Sequence, residues 1–136
     1  MRLLILILLG TCLFAAEEDT PLAQSMQELN RSYKALSRAL REPDSARQSE
    51  YLELIQRMQL AALAGKVETP VRIAKLPDAE RATALAAYRT DMAVTLQAML
   101  ELEKQVIAND YAAATQSLAT LKEQKSDGHD KYQEDE

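Results

Sequence analysis

Residues 20–41 read TPLAQSMQELNRSYKALSRALR, and the spacing of their apolar side chains decides the fold. Thr20 is a good N-cap residue, and Pro21 fits the first helical turn, where no backbone N–H is needed. The stretch therefore predicts a helix that ends near Arg41, before Pro43. Its apolar side chains recur every three or four residues and form one helical seam: Leu22, Met26, Leu29, Tyr33, Leu36 and Leu40.

Three further segments show the same helical period. The second predicted helix begins near residues 43–45 and stops at Gly65. The third runs from residues 77–78 to Ala108, and Asp110 is suited to cap the fourth. The seam residues of these helices are, in chain order, Tyr51, Ile55, Met58 and Ala62, then Leu85, Tyr88, Met92, Thr95, Met99, Leu102 and Val106, then Tyr111, Ala114, Leu118 and Leu121.

Four amphipathic helices with mostly short connections predict an all-α fold, an antiparallel up-down-up-down four-helix bundle. No segment alternates apolar and polar residues in the manner of a β-strand. The longest connection, residues 66–77, has no helical period and is expected to be a loop. In this topology that loop lies at the same end of the bundle as the start of the first helix and the end of the fourth.

The first 16 residues, MRLLILILLGTCLFAA, have the layout of a secretory signal peptide. One arginine precedes a short apolar run, which small residues and then acidic residues follow. We therefore expect residues 1–16 to be a signal peptide and residues 17–136 to form the mature domain. The alternatives are an uncleaved N-terminal anchor, because no small residue stands three positions before the cleavage site, and lipid attachment at Cys12.

Charge and cysteine content restrict the possible partners. The 16 basic and 21 acidic residues give a net charge of −5, which argues against nucleic acid and anionic lipid. Cys12 is the only cysteine, so a mature domain without it has no disulfide. We expect a monomer with no membrane association once the signal peptide is removed.

Two residues carry chemistry that the predicted bundle brings together. Taken singly, Met26 is core packing, and His129, the only histidine, is a solvated residue of a charged tail. If the fourth helix continues to residue 129, however, His129 lies about 20° around the helix from Leu118 and faces the seam. Met26 faces the seam at the same end. A thioether and an imidazole placed in this way are the axial pair of a six-coordinate haem, which suits electron transfer.

Such a haem would be a single b-type haem held without covalent bonds, because the chain has no C-x-x-C-H motif. A haem-free exported adaptor or helper bundle is the alternative function. An enzyme is disfavoured, because the sequence has no second histidine and no Glu-x-x-His motif of the kind that di-iron bundles use. Glu101 and Glu103 are interpreted as helix-surface charges.

The sequence resembles the cytochrome b562 family of periplasmic haem proteins over about residues 21–132. The motif Leu22-x-x-x-Met26-x-x-Leu29-Asn30 is similar to the family's first helix and places Met26 at the axial methionine. The family is itself an example of the up-down-up-down bundle, so the resemblance implies that fold. It also implies a periplasmic electron carrier, with a redox partner protein that the sequence does not identify.

Two further stretches carry the resemblance. The segment from Met58 through Ala61-Ala62-Leu63 to Thr69-Pro70 is similar to the family's second helix and following loop. The segment from Tyr88-Arg89 to His129-x-Lys131-Tyr132 is similar to its last two helices and places His129 at the axial histidine.

The resemblance implies a set of residues around the haem. Lys125 would lie near the exposed haem edge, where a cation can pair with a propionate. Met92 stands where the family suggests an aromatic ring. Ser126-Asp127-Gly128 is a poor helix former, so the fourth helix either ends at Gly128 or continues with the help of ligation. The pocket lining implied by the resemblance is Leu22, Leu29, Met58, Pro70, Tyr88 and Met92.

Overall fold

The computed structural model describes residues 20–133, so the predicted signal peptide and Cys12 lie outside the described residues. The described residues contain no strand. A single 3₁₀ turn, Ser45–Arg47, precedes the second long helix. The helices, numbered in chain order, are α1 Pro21–Ala39, α2 Gln48–Lys66, α3 Val71–Ala74, α4 Asp78–Ile107 and α5 Tyr111–Tyr132.

The four long helices form the predicted all-α bundle. α1 packs on α2, α2 on α4 and α4 on α5, so each long helix lies beside the next one in the sequence. Hydrogen bonds between helices follow an antiparallel order: Gln48 bonds to the carbonyl of Val106, and Gln59 bonds to Glu103. α1 and α5 approach each other closely at fewer positions than the other adjacent long helices do. The bundle is therefore most open between its first and last helices.

Local sequence explains where the helices begin and end. The Thr20 hydroxyl accepts a hydrogen bond from the Ala23 N–H at 3.1 Å, and Pro21 is the first residue of α1, as predicted. Between α4 and α5, Asn109 takes the left-handed conformation with φ 56°, and the Asp110 carboxylate caps the Ala113 N–H at 3.1 Å. Asn109 and Asp110 together form a tight corner between the two helices, and Asp110 caps α5 as predicted.

The connection between α2 and α4 differs from the expected loop, because it contains the short helix α3. The Ala74 N–H donates to the Pro70 carbonyl at 2.9 Å and closes a single helical turn. Pro70 and Ile73 are both buried, which anchors this turn against the bundle. A turn of four residues is too short to show a periodic pattern, so α3 could not be predicted from side-chain spacing.

The seam residues build the core, and the core is better sealed at one end of the bundle than at the other. Away from α3, Leu36, Tyr51 and Leu102 are fully buried. Toward α3, seam residues such as Leu22 and Met92 are only half-buried. The end of the bundle where the sequence predicts a site is therefore the end at which apolar side chains remain partly accessible.

Candidate haem site

α5 carries His129 on a continuous helix. It runs through Ser126-Asp127-Gly128 to Tyr132, and Gly128 does not take a left-handed conformation. The last turn is closed by the Gln133 N–H, which donates to the His129 carbonyl at 3.0 Å. Of the two possibilities for the fourth helix, continuation is therefore correct, and His129 is presented, with an exposed side chain, from helical backbone.

Side-chain hydrogen bonds link α1 and α5. Tyr33 Oη donates to the Leu118 carbonyl at 3.1 Å. Lys125 Nζ donates to Asn30 Oδ1 at 2.5 Å. His129 is about one helical turn beyond Lys125, and Met26 is about one turn before Asn30. Because the two helices are antiparallel, both steps lead about 6 Å toward the same end of the bundle. Met26 and His129 therefore lie at the same end of the bundle, on the two helices that border the α1–α5 gap.

The thioether of Met26 rests over a glycine of α2. A Cβ built on Gly65 would lie 2.7 Å from Met26 Cε, 3.4 Å from Leu22 Cδ1 and 3.7 Å from Met92 Cε. Gly65 therefore lets side chains from α1 and α4 meet above α2. Sequence reasoning treated Gly65 only as a helix stop, but it lies within α2 and shapes the site.

Tyr88 supports the site from α4. Its side chain is buried, and its hydroxyl donates to the Gly65 carbonyl at 2.7 Å. Burial raises the pKa of Tyr88 to about 12, and the negative charge of Glu68 contributes in the same direction. The Tyr132 ring packs edge-on against Tyr88, with a centroid separation of 5.0 Å and an interplanar angle of 78°.

Lysines gather where α1 meets α5. Lys125 Nζ lies 5.6 Å from the centroid of the Tyr33 ring, in addition to its bond to Asn30. Partial burial lowers the pKa of Lys125, and the positive charges of Lys34 and Lys122 lower it further. This concentration of positive charge on an acidic protein is suited to binding carboxylates.

The nine residues that the sequence singled out occupy three kinds of position. Leu22, Met26 and Met92 are half-buried and converge on Gly65. Lys125 and His129 are exposed on the face of α5 that is turned toward α1. The remaining four are buried and form the packed floor beneath the accessible side chains: Leu29, Met58, Pro70 and Tyr88.

The donors and their surroundings fit a haem. A thioether and an imidazole lie at the same end of the bundle, beside half-buried apolar side chains and a group of lysines, and these are side chains that could hold a haem. Over residues 20–133, no group of three or more His, Cys, Asp or Glu side chains is arranged to hold a metal ion. In the same range, no helix is long and apolar enough to cross a membrane.

The outer faces of α1 and α2 border two surface grooves that contain none of the nine predicted residues. Arg38 and Glu53 line one groove, Ser25 and Leu60 line the other, and Arg57 contributes to both. These grooves are open and carry mixed charge, so they do not resemble a site for a flat apolar ring.

Comparison with known proteins identifies the family. A family model described as cytochrome b562 matches residues 21–133, which is most of the chain. No curated protein matches the chain. The matched range begins with the first residue of α1 and ends one residue after α5, so it covers the whole bundle. The chain therefore belongs to the cytochrome b562 family of haem-binding, electron-carrying helical bundles.

Proposed function

We propose that the protein is a periplasmic electron carrier that holds one non-covalent b-type haem between Met26 and His129. The observation that supports this proposal is the Lys125–Asn30 bond, which sets α1 and α5 in a register with Met26 and His129 at the same end of the bundle. With both axial positions filled by protein, the iron would supply a one-electron ferric–ferrous couple and no open position for a substrate.

Met26 and His129 have different tasks in this proposal. The imidazole of His129 binds both oxidation states of iron, whereas the thioether of Met26 favours the ferrous state and raises the reduction potential. Met26 is half-buried, and its methyl group lies with the side chains of Leu22 and Met92 over Gly65. His129 lies on an exposed part of α5, so its position depends on the helix that carries it.

Lys125 has a supporting electrostatic role. Haem carries two propionates, and the charges of Lys34 and Lys122 repel the charge of Lys125 in the protein alone. A carboxylate placed among these lysines would relieve that repulsion and raise the pKa of Lys125 toward its usual value. Lys125 would therefore orient the haem edge at the α1–α5 gap as well as contribute to affinity.

The cellular setting follows from the family and from the N-terminal sequence. Residues 1–16 would direct export, and residues 17–136 would act in the periplasm as a monomer. The partner would be another redox protein rather than nucleic acid or a membrane, because the net charge of −5 disfavours polyanions. A haem-free adaptor is the alternative function, and it assigns no role to Met26 and His129.

Titration of the purified protein with haem tests this function. We expect a sharp Soret band that saturates at one haem per chain, and a low-spin spectrum in both oxidation states. Acid-acetone should extract all the haem and leave an unmodified polypeptide by mass spectrometry. A Met26→Ala/His129→Ala double variant is the control and should give no low-spin spectrum. If the unaltered protein shows no saturating Soret band, the function is wrong.

A further inference from the structure

Side chains from α3 and α4 hold the last turn of α5. Arg72 Nη1 donates to the backbone carbonyls of Asp130 at 2.8 Å and Lys131 at 3.2 Å. Tyr132 Oη donates to Asp91 Oδ2 at 2.5 Å, and Lys131 Nζ lies 3.5 Å from the same oxygen. We call Arg72, Asp91 and Tyr132 the α5 clamp.

The clamp acts where α5 is intrinsically weak. The last four carbonyls of a helix have no partner within it, and a cation beside them also complements the negative end of the helix dipole. Arg72 meets both needs from outside the helix. The preceding Ser126-Asp127-Gly128 has low helix propensity, so propensity alone would let the end of α5 fray. The contacts of the clamp with other helices therefore provide the stabilisation that the low helix propensity of this segment does not.

The short helix α3 explains how Arg72 reaches α5. Pro70 and Ile73 are buried on either side of Arg72 in the sequence and fix the turn to the bundle. Arg72 itself is half-buried and extends to the α5 backbone 58 residues further along the chain. The helical turn in an otherwise irregular connection therefore has a definite consequence, which is the placement of one guanidinium at the end of α5.

The clamp also connects to the methionine side of the site. The Tyr132 ring packs on Tyr88, whose hydroxyl bonds to the Gly65 carbonyl. Met26 rests over the same glycine. The end of α5, through Tyr132 and Tyr88, and the Met26 side chain are therefore both linked to the C-terminal turn of α2. A shift of the α5 end would change the placement of His129 relative to Met26.

We propose that Arg72 is a positioning residue for His129: by capping the end of α5, it holds the last turn helical and directs the imidazole toward Met26. This inference rests on the proposed haem function. The hydrogen bonds of Arg72 go to backbone carbonyls of α5, so it acts on His129 through the helix that carries it. The inference gives Arg72 a role in the haem site, although sequence alone would treat it as a solvated surface charge.

The test compares Arg72→Gln with Arg57→Gln in the full chain. Arg57 pairs with Glu53 of its own helix at 2.7 Å, so its replacement removes the same charge without touching α5. In the haem-free protein, we expect the amides of Tyr132 and Gln133 to exchange about threefold to tenfold faster in Arg72→Gln, as for the loss of one hydrogen bond. Haem affinity should fall by a similar factor, and a high-spin ferric component should appear. Arg57→Gln should change neither.

Two conservative variants guard against a general folding defect. Arg72→Lys keeps the charge but offers a single ammonium in place of the guanidinium, so it should restore part of the affinity and of the low-spin spectrum. Tyr132→Phe keeps the ring on Tyr88 and removes only the bond to Asp91, so it should act in the same direction as Arg72→Gln.

The outcomes separate this inference from the proposed function. If the unaltered protein binds haem in a low-spin state and Arg72→Gln does so with equal affinity and spin state, the positioning role is wrong while the function stands. Faster amide exchange without any change at the haem also refutes positioning, because the clamp would then be purely structural. Absence of haem binding in the unaltered protein refutes both.

Discussion

Replacing Gly128 with alanine is predicted to stabilise the protein, because α5 is a continuous helix at this position. An ideal Cβ on Gly128 meets no heavy atom within 4 Å, and the backbone is not left-handed. In a helix interior, alanine is favoured over glycine by about 1 kcal/mol. Gly128 lies one turn before the end of α5 at Tyr132, where fraying reduces the benefit. We therefore expect a gain of about 0.5–1 kcal/mol.

Gly65 provides a matched control, since it is the other glycine within a described helix. The same substitution there would place a methyl group 2.7 Å from Met26 Cε, so the Met26 side chain must move. Overpacking of this kind costs about 1–3 kcal/mol, with the lower end expected here because Cε is the tip of a flexible chain. The cost offsets the gain in helix propensity, so Gly65→Ala should not raise stability.

The assay is thermal unfolding of the haem-free protein by circular dichroism, followed by haem titration. Gly128→Ala should raise the Tm by about 2–4 °C, and Gly65→Ala should leave it unchanged or lower it. Haem affinity in Gly128→Ala should rise by no more than about fivefold, because a gain of about 1 kcal/mol is the limit. A lower Tm, or weaker haem binding, in Gly128→Ala would refute a continuous helix that carries His129.

Three further predictions follow from the site. His129→Ala should lose most haem affinity in a titration, whereas Met26→Ala should keep a haem with a lowered reduction potential; equal haem binding by His129→Ala and the unaltered protein would contradict the assignment. Lys125→Gln should weaken haem binding, and the difference from the unaltered protein should shrink at high salt; a salt-independent difference would argue against pairing with a propionate. The raised pKa of Tyr88, about 12, contributes stability that is fully present below about pH 10 and is lost as the pH rises toward 12. Phenolate absorbance should therefore show Tyr88 ionising late and together with unfolding, and its ionisation near pH 10 in the folded protein would contradict its burial.

Sequence periodicity was sufficient to predict the bundle and to place Met26 and His129 at one end of it. The seam from Leu22 to Leu40 follows directly from side-chain spacing, and the helix caps at Thr20 and Asp110 follow from residue type. The placement of Met26 and His129 at the same end could be predicted because the bundle topology fixes which helix ends lie together. Each of these inferences uses residues that are close in sequence or a general rule of helix packing.

The rest depends on contacts that local sequence does not encode. Helix propensity could not decide whether α5 continues past Gly128. The hydrogen bonds that hold its last turn involve Arg72 and Asp91, which belong to other helices. No pattern singled out Arg72, because it lies 58 residues from the carbonyl that it caps. Gly65 was taken as a helix stop, because only the folded chain brings Met26 over it.

Methyl-selective NMR of the ferrous, haem-loaded protein tests the axial pair most directly. With methionine methyl groups labelled, the Met26 methyl group should lie over the haem plane, and its ring current should shift that resonance far upfield. The methyl resonance of Met99 should keep an ordinary position, those of the pocket residues Met58 and Met92 should shift much less than that of Met26, and the far-upfield signal should vanish in Met26→Ala. If the shifted resonance survives in Met26→Ala, or if no methionine methyl is shifted while haem is bound, then Met26 is not a ligand and the account of this site is wrong.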